Sequence, residues 1–142
     1  MIEHRSTMRV MATTGPASRL APCPRTPNCV STEAPPGSSK RMDPIPYTGS
    51  LDEARARLQQ VLREYPRTRI VSDPSLEPHY LKAECRSQVF RFVDDVEFVF
   101  DEGAKLIRFR SASRLGRKDF GVNRSRMEEI RAAFERAGAA PR

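Results

Sequence analysis

Side chains suited to holding an anion are concentrated in one run of this 142-residue chain, Arg110-Ser-Ala-Ser-Arg-Leu-Gly-Arg-Lys-Asp-Phe-Gly-Val-Asn-Arg-Ser-Arg126. Guanidinium groups bind carboxylate and phosphate through paired, charge-assisted hydrogen bonds, and hydroxyls and helix-start amides add further donors. The run leaves a strand and enters a helix, which puts Arg124 and Arg126 in a first helical turn. The macrodipole there favours acids, so local helix electrostatics does not account for them. One reading is a polar pocket of Arg110, Ser111, Ser113, Arg114, Asp119, Asn123 and Arg124 near Asp94 and Asp95, open to a phosphate, sulfate or carboxylate. The competing reading has these arginines pair with Asp94, Asp95, Glu97 or Asp119 and pin the loop to the sheet.

Other chemistries fit less well. Gly116 and Gly121 match neither phosphate-loop nor dinucleotide spacing and read as turn residues. Asp94 and Asp95 are adjacent on a strand and point to opposite faces, so they do not share one substrate as acid and base. An enzyme would have to draw its reactive group from Ser113 or Asp119, and no general base is visible, so the reading leans away from catalysis. The histidines are His4 and His79 alone. A zinc site from Cys23, Cys29, Cys85 and His79 lacks a recognised knuckle spacing, and no metal or cofactor is expected. A bridge between Cys23 and Cys29 is sterically allowed across Cys-Pro-Arg-Thr-Pro-Asn-Cys, but three thiols in a chain without a secretory pattern are expected to stay reduced.

Charge distribution bears on partners. Lys105 to Arg126 carries eight basic residues against one acid, whereas Asp73 to Glu102 carries eight acids against three basic residues. Neighbouring segments of opposite sign neutralise each other in a fold, and only Phe109 and Phe120 lie beside the basic run, so nucleic acid is not the expected partner. No apolar run approaches the roughly 18 residues of a membrane span. The first twenty residues lack an apolar signal core, and the expected compartment is the cytoplasm.

The elements that must position these groups are legible in part. Residues 1–49 hold eight of the twelve prolines and little apolar periodicity, so they read as a proline-rich extension. Ser50 and Glu53 form a capping box, and Leu51, Ala54, Leu58, Val61, Leu62 and Tyr65 give a helical stripe stopped by Pro66. Four strands follow, over 68–73, 79–86, 92–101 and 104–111. In the second, Leu81, Ala83 and Cys85 face inward. A two-residue turn pairing Asp101 with Ala104 sets Phe98 opposite Ile107, Val96 opposite Phe109, Glu97 opposite Arg108 and Asp95 opposite Arg110. Alternation puts Asp94 on the core side, where it needs a bulge or a buried partner. A last helix from Asn123 as N-cap to Ala137 buries Met127, Ile130 and Phe134, with Gly138 as its stop. The fold class is α+β, a four-stranded mostly antiparallel sheet packed against two helices.

Leu20-Ala-Pro-Cys-Pro, Pro27-Asn-Cys-Val-Ser31, Ile45-Pro-Tyr47, Phe90-Arg-Phe-Val-Asp-Asp-Val-Glu-Phe98, Arg110-Ser-Ala-Ser-Arg114 and Asp119-Phe-Gly-Val-Asn-Arg124 together resemble the uncharacterised family named domain of unknown function 1499. The resemblance covers about residues 20–136 and implies no reaction, ligand or cofactor. It implies that the cysteine-containing turn belongs to the domain, with residues 20–49 docked on the sheet. The expected organisation is a disordered tail over 1–19, one domain over 20–138 and a tail over 139–142. The expected role is a soluble binding or accessory domain for a small anionic ligand or a partner's carboxylate.

Overall fold

The computed structural model describes residues 19–88, 92–115 and 121–139. Along them run β1 (Cys29–Ser31), β2 (Ile45–Pro46), α1 (Leu51–Glu64), β3 (Thr68–Ile70), β4 (Tyr80–Arg86), β5 (Val93–Asp101), β6 (Leu106–Ser113) and α2 (Val122–Ala139). The strands form one antiparallel sheet in the order β1-β6-β5-β4-β3, with β2 also paired to β6. The expected α+β class with two helices holds. The sheet has six strands where four were expected, because β1 and β2 come from the proline-rich segment. They are three and two residues long, too short to show any periodicity. The tails expected over 1–19 and 139–142 lie outside the described residues except for Arg19 and Ala139.

Alternation along the central strands sends one set of side chains inward. Leu81, Val96, Phe98, Phe100, Ile107 and Phe109 are fully buried against Leu58 and Leu62 of α1 and Met127, Ile130 and Phe134 of α2. The opposite face is polar, with a small apolar cluster of Leu20, Tyr80 and Val99 among the described residues. α1 starts as the sequence implies: Glu53 N–H donates to Ser50 Oγ at 3.1 Å, and Ser50 N–H donates to Glu53 Oε1 at 2.9 Å.

The β5–β6 hairpin departs from the expected register by two residues. Phe98 faces Phe109, Phe100 faces Ile107, and Glu97 faces Arg110. The turn between the paired Asp101 and Leu106 holds four residues, 102–105, and not two as expected. Lys105 adopts a left-handed φ of 56°, and Ala104 N–H donates to Asp101 Oδ1 at 3.2 Å. A two-residue shift keeps every side chain on its face, so the inward and outward sets survive while individual partners change. α2 also differs at both ends. Asn123 lies inside its first turn, fully buried, and not at the cap, and Gly138 is within the helix.

Replacing Ser50 with Ala removes one arm of the capping box and is expected to lower unfolding stability by about 1 kcal/mol. Urea denaturation checks it, and an unchanged midpoint contradicts the assigned helix start.

Candidate functional site

β6 decides where the basic run goes. Ser111 and Ser113 point to the helix side and Arg110 to the other, and Arg114 continues the alternation just beyond the strand. The expected pocket is therefore split by the sheet.

On the helix side, Asp94 and Arg126 form an ion pair at 2.6 Å, with side chains 10% and 7% exposed. Arg126 Nη1 also donates to Asn123 Oδ1 at 2.8 Å and to Ser111 Oγ at 3.1 Å. Ser111 donates to Asn123 Oδ1 at 2.6 Å, and Asn123 Nδ2 donates to the Asn28 carbonyl and to Ser113 Oγ, both at 3.1 Å. This network joins β5, β6, α2 and the residue before β1. Its polar groups partner one another in the interior, as buried polar groups must. The buried partner that alternation demanded for Asp94 is Arg126, which pairs with it across the sheet–helix interface.

On the outer face, Arg114 bridges Asp95 (Nε–Oδ2 2.9 Å) and Glu84 (Nη2–Oε2 2.7 Å). Arg110 lies 3.9 Å from Glu97 and donates to the Pro22 carbonyl at 3.4 Å. Burial pushes the Asp95 carboxyl up, but hydrogen bonds from Arg114, backed by Lys82 and Arg110, outweigh this and hold it below the usual carboxylate range. Hydrogen bonds from Arg114 and Arg69 hold Glu84 down as well. Asp119 lies outside the described residues.

Arg124 is the member of the expected set that pairs with no carboxylate among the described residues. Its Nη2 donates to the carbonyls of Ser39 and Arg41. It lines a cavity of about 350 Å³ at the β1 edge of the sheet, with Arg25, Lys40 and Gly121, which immediately precedes α2. Lys40 Nζ donates to the Pro24 carbonyl. No carboxylate is among the described residues lining this space. A larger groove of about 510 Å³, with Arg67, Arg69 and Arg86 on its walls, contains Glu84 and so carries its own counter-charge.

Sequence reasoning missed Arg25 and Lys40. Both lie in the proline-rich segment, where no periodicity marks which side chains converge. The cysteines that frame Arg25 were the available signal, but they were expected to stay reduced. The structure bridges Cys23 and Cys29, with Cα atoms 5.7 Å apart, and leaves Cys85 as a buried thiol. The closeness follows from β1, whose pairing of Cys29 with Ala112 fixes one end of the turn.

Comparison with known proteins agrees on extent. The family model described as "Protein of unknown function (DUF1499)" matches residues 19–134. No curated protein matches the chain.

Two outcomes follow from the split cluster. Arg126→Ala strands a buried Asp94 carboxylate and is expected to cost about 3–5 kcal/mol of stability, read by urea denaturation. Because Asp95 and Glu84 titrate below their unfolded values, their contribution is complete above about pH 4 and is lost as pH falls through the lowered folded values. Arg114→Ala should therefore flatten the acid limb of a stability–pH curve and leave the neutral limb's slope unchanged; an identical acid limb contradicts the assignment.

Proposed function

Since the chain belongs to the DUF1499 family, whose description assigns no activity, we propose from its own geometry that it is a binding domain for a small anion, held at the cavity of Arg25, Lys40 and Arg124. One observation carries the reading. Arg110, Arg114 and Arg126 each have a carboxylate partner, whereas among the described residues the side chains of Arg124 and Lys40 donate only to backbone carbonyls. Three cations without a counter-charge on the described walls create a positive potential, and the amino end of α2 adds its partial charge to it. α2 has no acid in its first turn to cancel that end. A phosphate, a sulfate or a carboxylate of a partner meets the same donors.

Among the described residues no helix is long and apolar enough to cross a membrane. For the expected cytoplasmic location the bridge is informative, because cytosolic disulfides are mostly transient, catalytic or redox-sensing, while lasting structural ones belong to oxidising compartments.

Thermal unfolding in phosphate or sulfate, against chloride at matched ionic strength, tests the proposal. At about ten times the dissociation constant the midpoint should rise by roughly 3–5 °C. The rise should disappear in Arg124→Gln and in Lys40→Gln and persist in Arg114→Ala. No rise for any anion, or an equal rise in all variants, rejects the cavity as the site.

A further inference from the structure

Two cavities flank the Cys23–Cys29 bridge. Cys29 lines the anion cavity already described, Cys23 lines a neighbouring space of about 320 Å³, and Arg25 and Lys40 line both. We propose that this bridge is exchange-active, opened by a dithiol reductant that enters on the Cys23 side while Cys29 departs as a thiolate into the cation-lined cavity, and closed again by the disulfide form of that reagent in the reverse exchange.

Access sets the direction. Cys23 is half-buried and Cys29 fully buried, so an incoming thiolate reaches the Cys23 sulfur. Attack forms a mixed disulfide on Cys23, breaks the Cys23–Cys29 bond and sends its electron pair to Cys29. The reductant's second thiol, deprotonated, then attacks its own sulfur in the mixed disulfide and expels Cys23. The reductant leaves as its disulfide, and the two electrons and two protons it gives up leave the protein with a dithiol, one proton passing to solvent if Cys29 stays ionised. Exchange is faster when the departing thiol has a low pKa.

The surroundings of Cys29 favour departure. Arg124 comes from α2, Lys40 from the loop after β1 and Arg25 from the bridged turn itself. β6 places Ala112 opposite Cys29 and Arg110 two pairs further along, opposite Ser31. Among the described residues lining the two spaces, Glu33, on the Cys23 side, is the one acid, and it accepts from Thr32 and lies 3.5 Å from Arg108. Cations and a helix amino end lower thiol pKa values, whereas burial alone raises them. Cys85 shows the second case: burial pushes its thiol up despite a hydrogen bond from Thr68.

Opening the bridge leaves β1 docked. Asn28 accepts through its carbonyl from Ser113 N–H at 3.0 Å and from Asn123 at 3.1 Å, and its amide donates to the Leu115 carbonyl. A six-residue separation also closes a short loop, the kind whose cross-link stabilises least. The bridge is therefore not needed to hold this edge together.

The test treats the full chain with dithiothreitol in phosphate-free buffer at neutral pH, traps thiols with iodoacetamide and reads them by mass spectrometry. Cys23 and Cys29 should label while Cys85 does not, with circular dichroism unchanged. In Cys23→Ser, the pH midpoint of Cys29 alkylation should lie below the ordinary cysteine value of about 8.5. Adding Lys40→Gln and Arg124→Gln should raise that midpoint by about one unit. The same two substitutions in the bridged protein should slow reduction about 3-fold or more, a readout that survives if Cys23→Ser does not fold. Labelling of Cys23 and Cys29 only together with Cys85, or a midpoint and a rate indifferent to the two cations, overturns the proposal. Without phosphate present, neither result depends on the affinity of the cavity for an anion, so the two proposals can fail separately.

Discussion

The contact between Asp94 and Arg126 is the constraint around which this protein is arranged. Desolvating two charges costs several kcal/mol per ion, and attraction between them offsets this only when the remaining donors and acceptors are also met. Here Ser111 and Asn123 take the second arm of the guanidinium, and Asn123 reaches on to Asn28 and Ser113. The demand for complete satisfaction couples β5, β6, α2 and the start of β1 in one unit. It also fixes the rotation of α2, because burying Arg126 commits Arg124, two residues earlier, to a different side of the helix. Arg124 thereby arrives at the sheet edge, against the carbonyls of Ser39 and Arg41.

Much of this was legible in the residue pattern, and the limits have physical causes. Period-two alternation over Leu81, Ala83 and Cys85, and over Val96 and Phe98, assigned the inward face correctly, since burial enforces parity. Parity does not determine which residues sit opposite each other. That depends on turn length, and the left-handed Lys105, a residue with no special liking for that conformation, carries no signal of a four-residue loop. Asp94 was recognised as needing an inward partner. Arg126 was only one of several arginines available, because its choice requires knowing how α2 is rotated. Asn123 was taken for a cap on its residue type; the buried network claims its amide instead.

The expected cluster was assembled from residue types in one stretch of chain, and the sheet separates its members. Residues gathered by proximity along the chain were divided by strand geometry: Ser111 and Ser113 to one face, Arg110 and Arg114 to the other. The same alternation that placed Asp94 and Asp95 on opposite faces applies to the serines and arginines of β6, so this division could have been drawn from sequence. The convergence of Arg25 and Lys40 on Arg124 could not, since it depends on a proline-rich segment folding back along β6.

A dense run of basic residues is thus a poor guide to where positive charge is available. Arg108 and Arg110 of β6, Arg114 just beyond it and Arg126 of α2 meet Asp101, Glu97, Asp95 and Asp94 of β5 respectively, so the acidic strand is neutralised from its neighbour and from the helix packed on it. Among the described residues, Arg25, Lys40 and Arg124 lie where no acidic strand runs alongside. At the β1 edge the chain supplies carbonyl oxygens, which can orient an ammonium or guanidinium group but cannot cancel its charge. An anion from solution and a thiolate from the bridge are two ways of supplying the missing charge at that edge. Each should therefore weaken the other, by reciprocal linkage between sites that share the same cations.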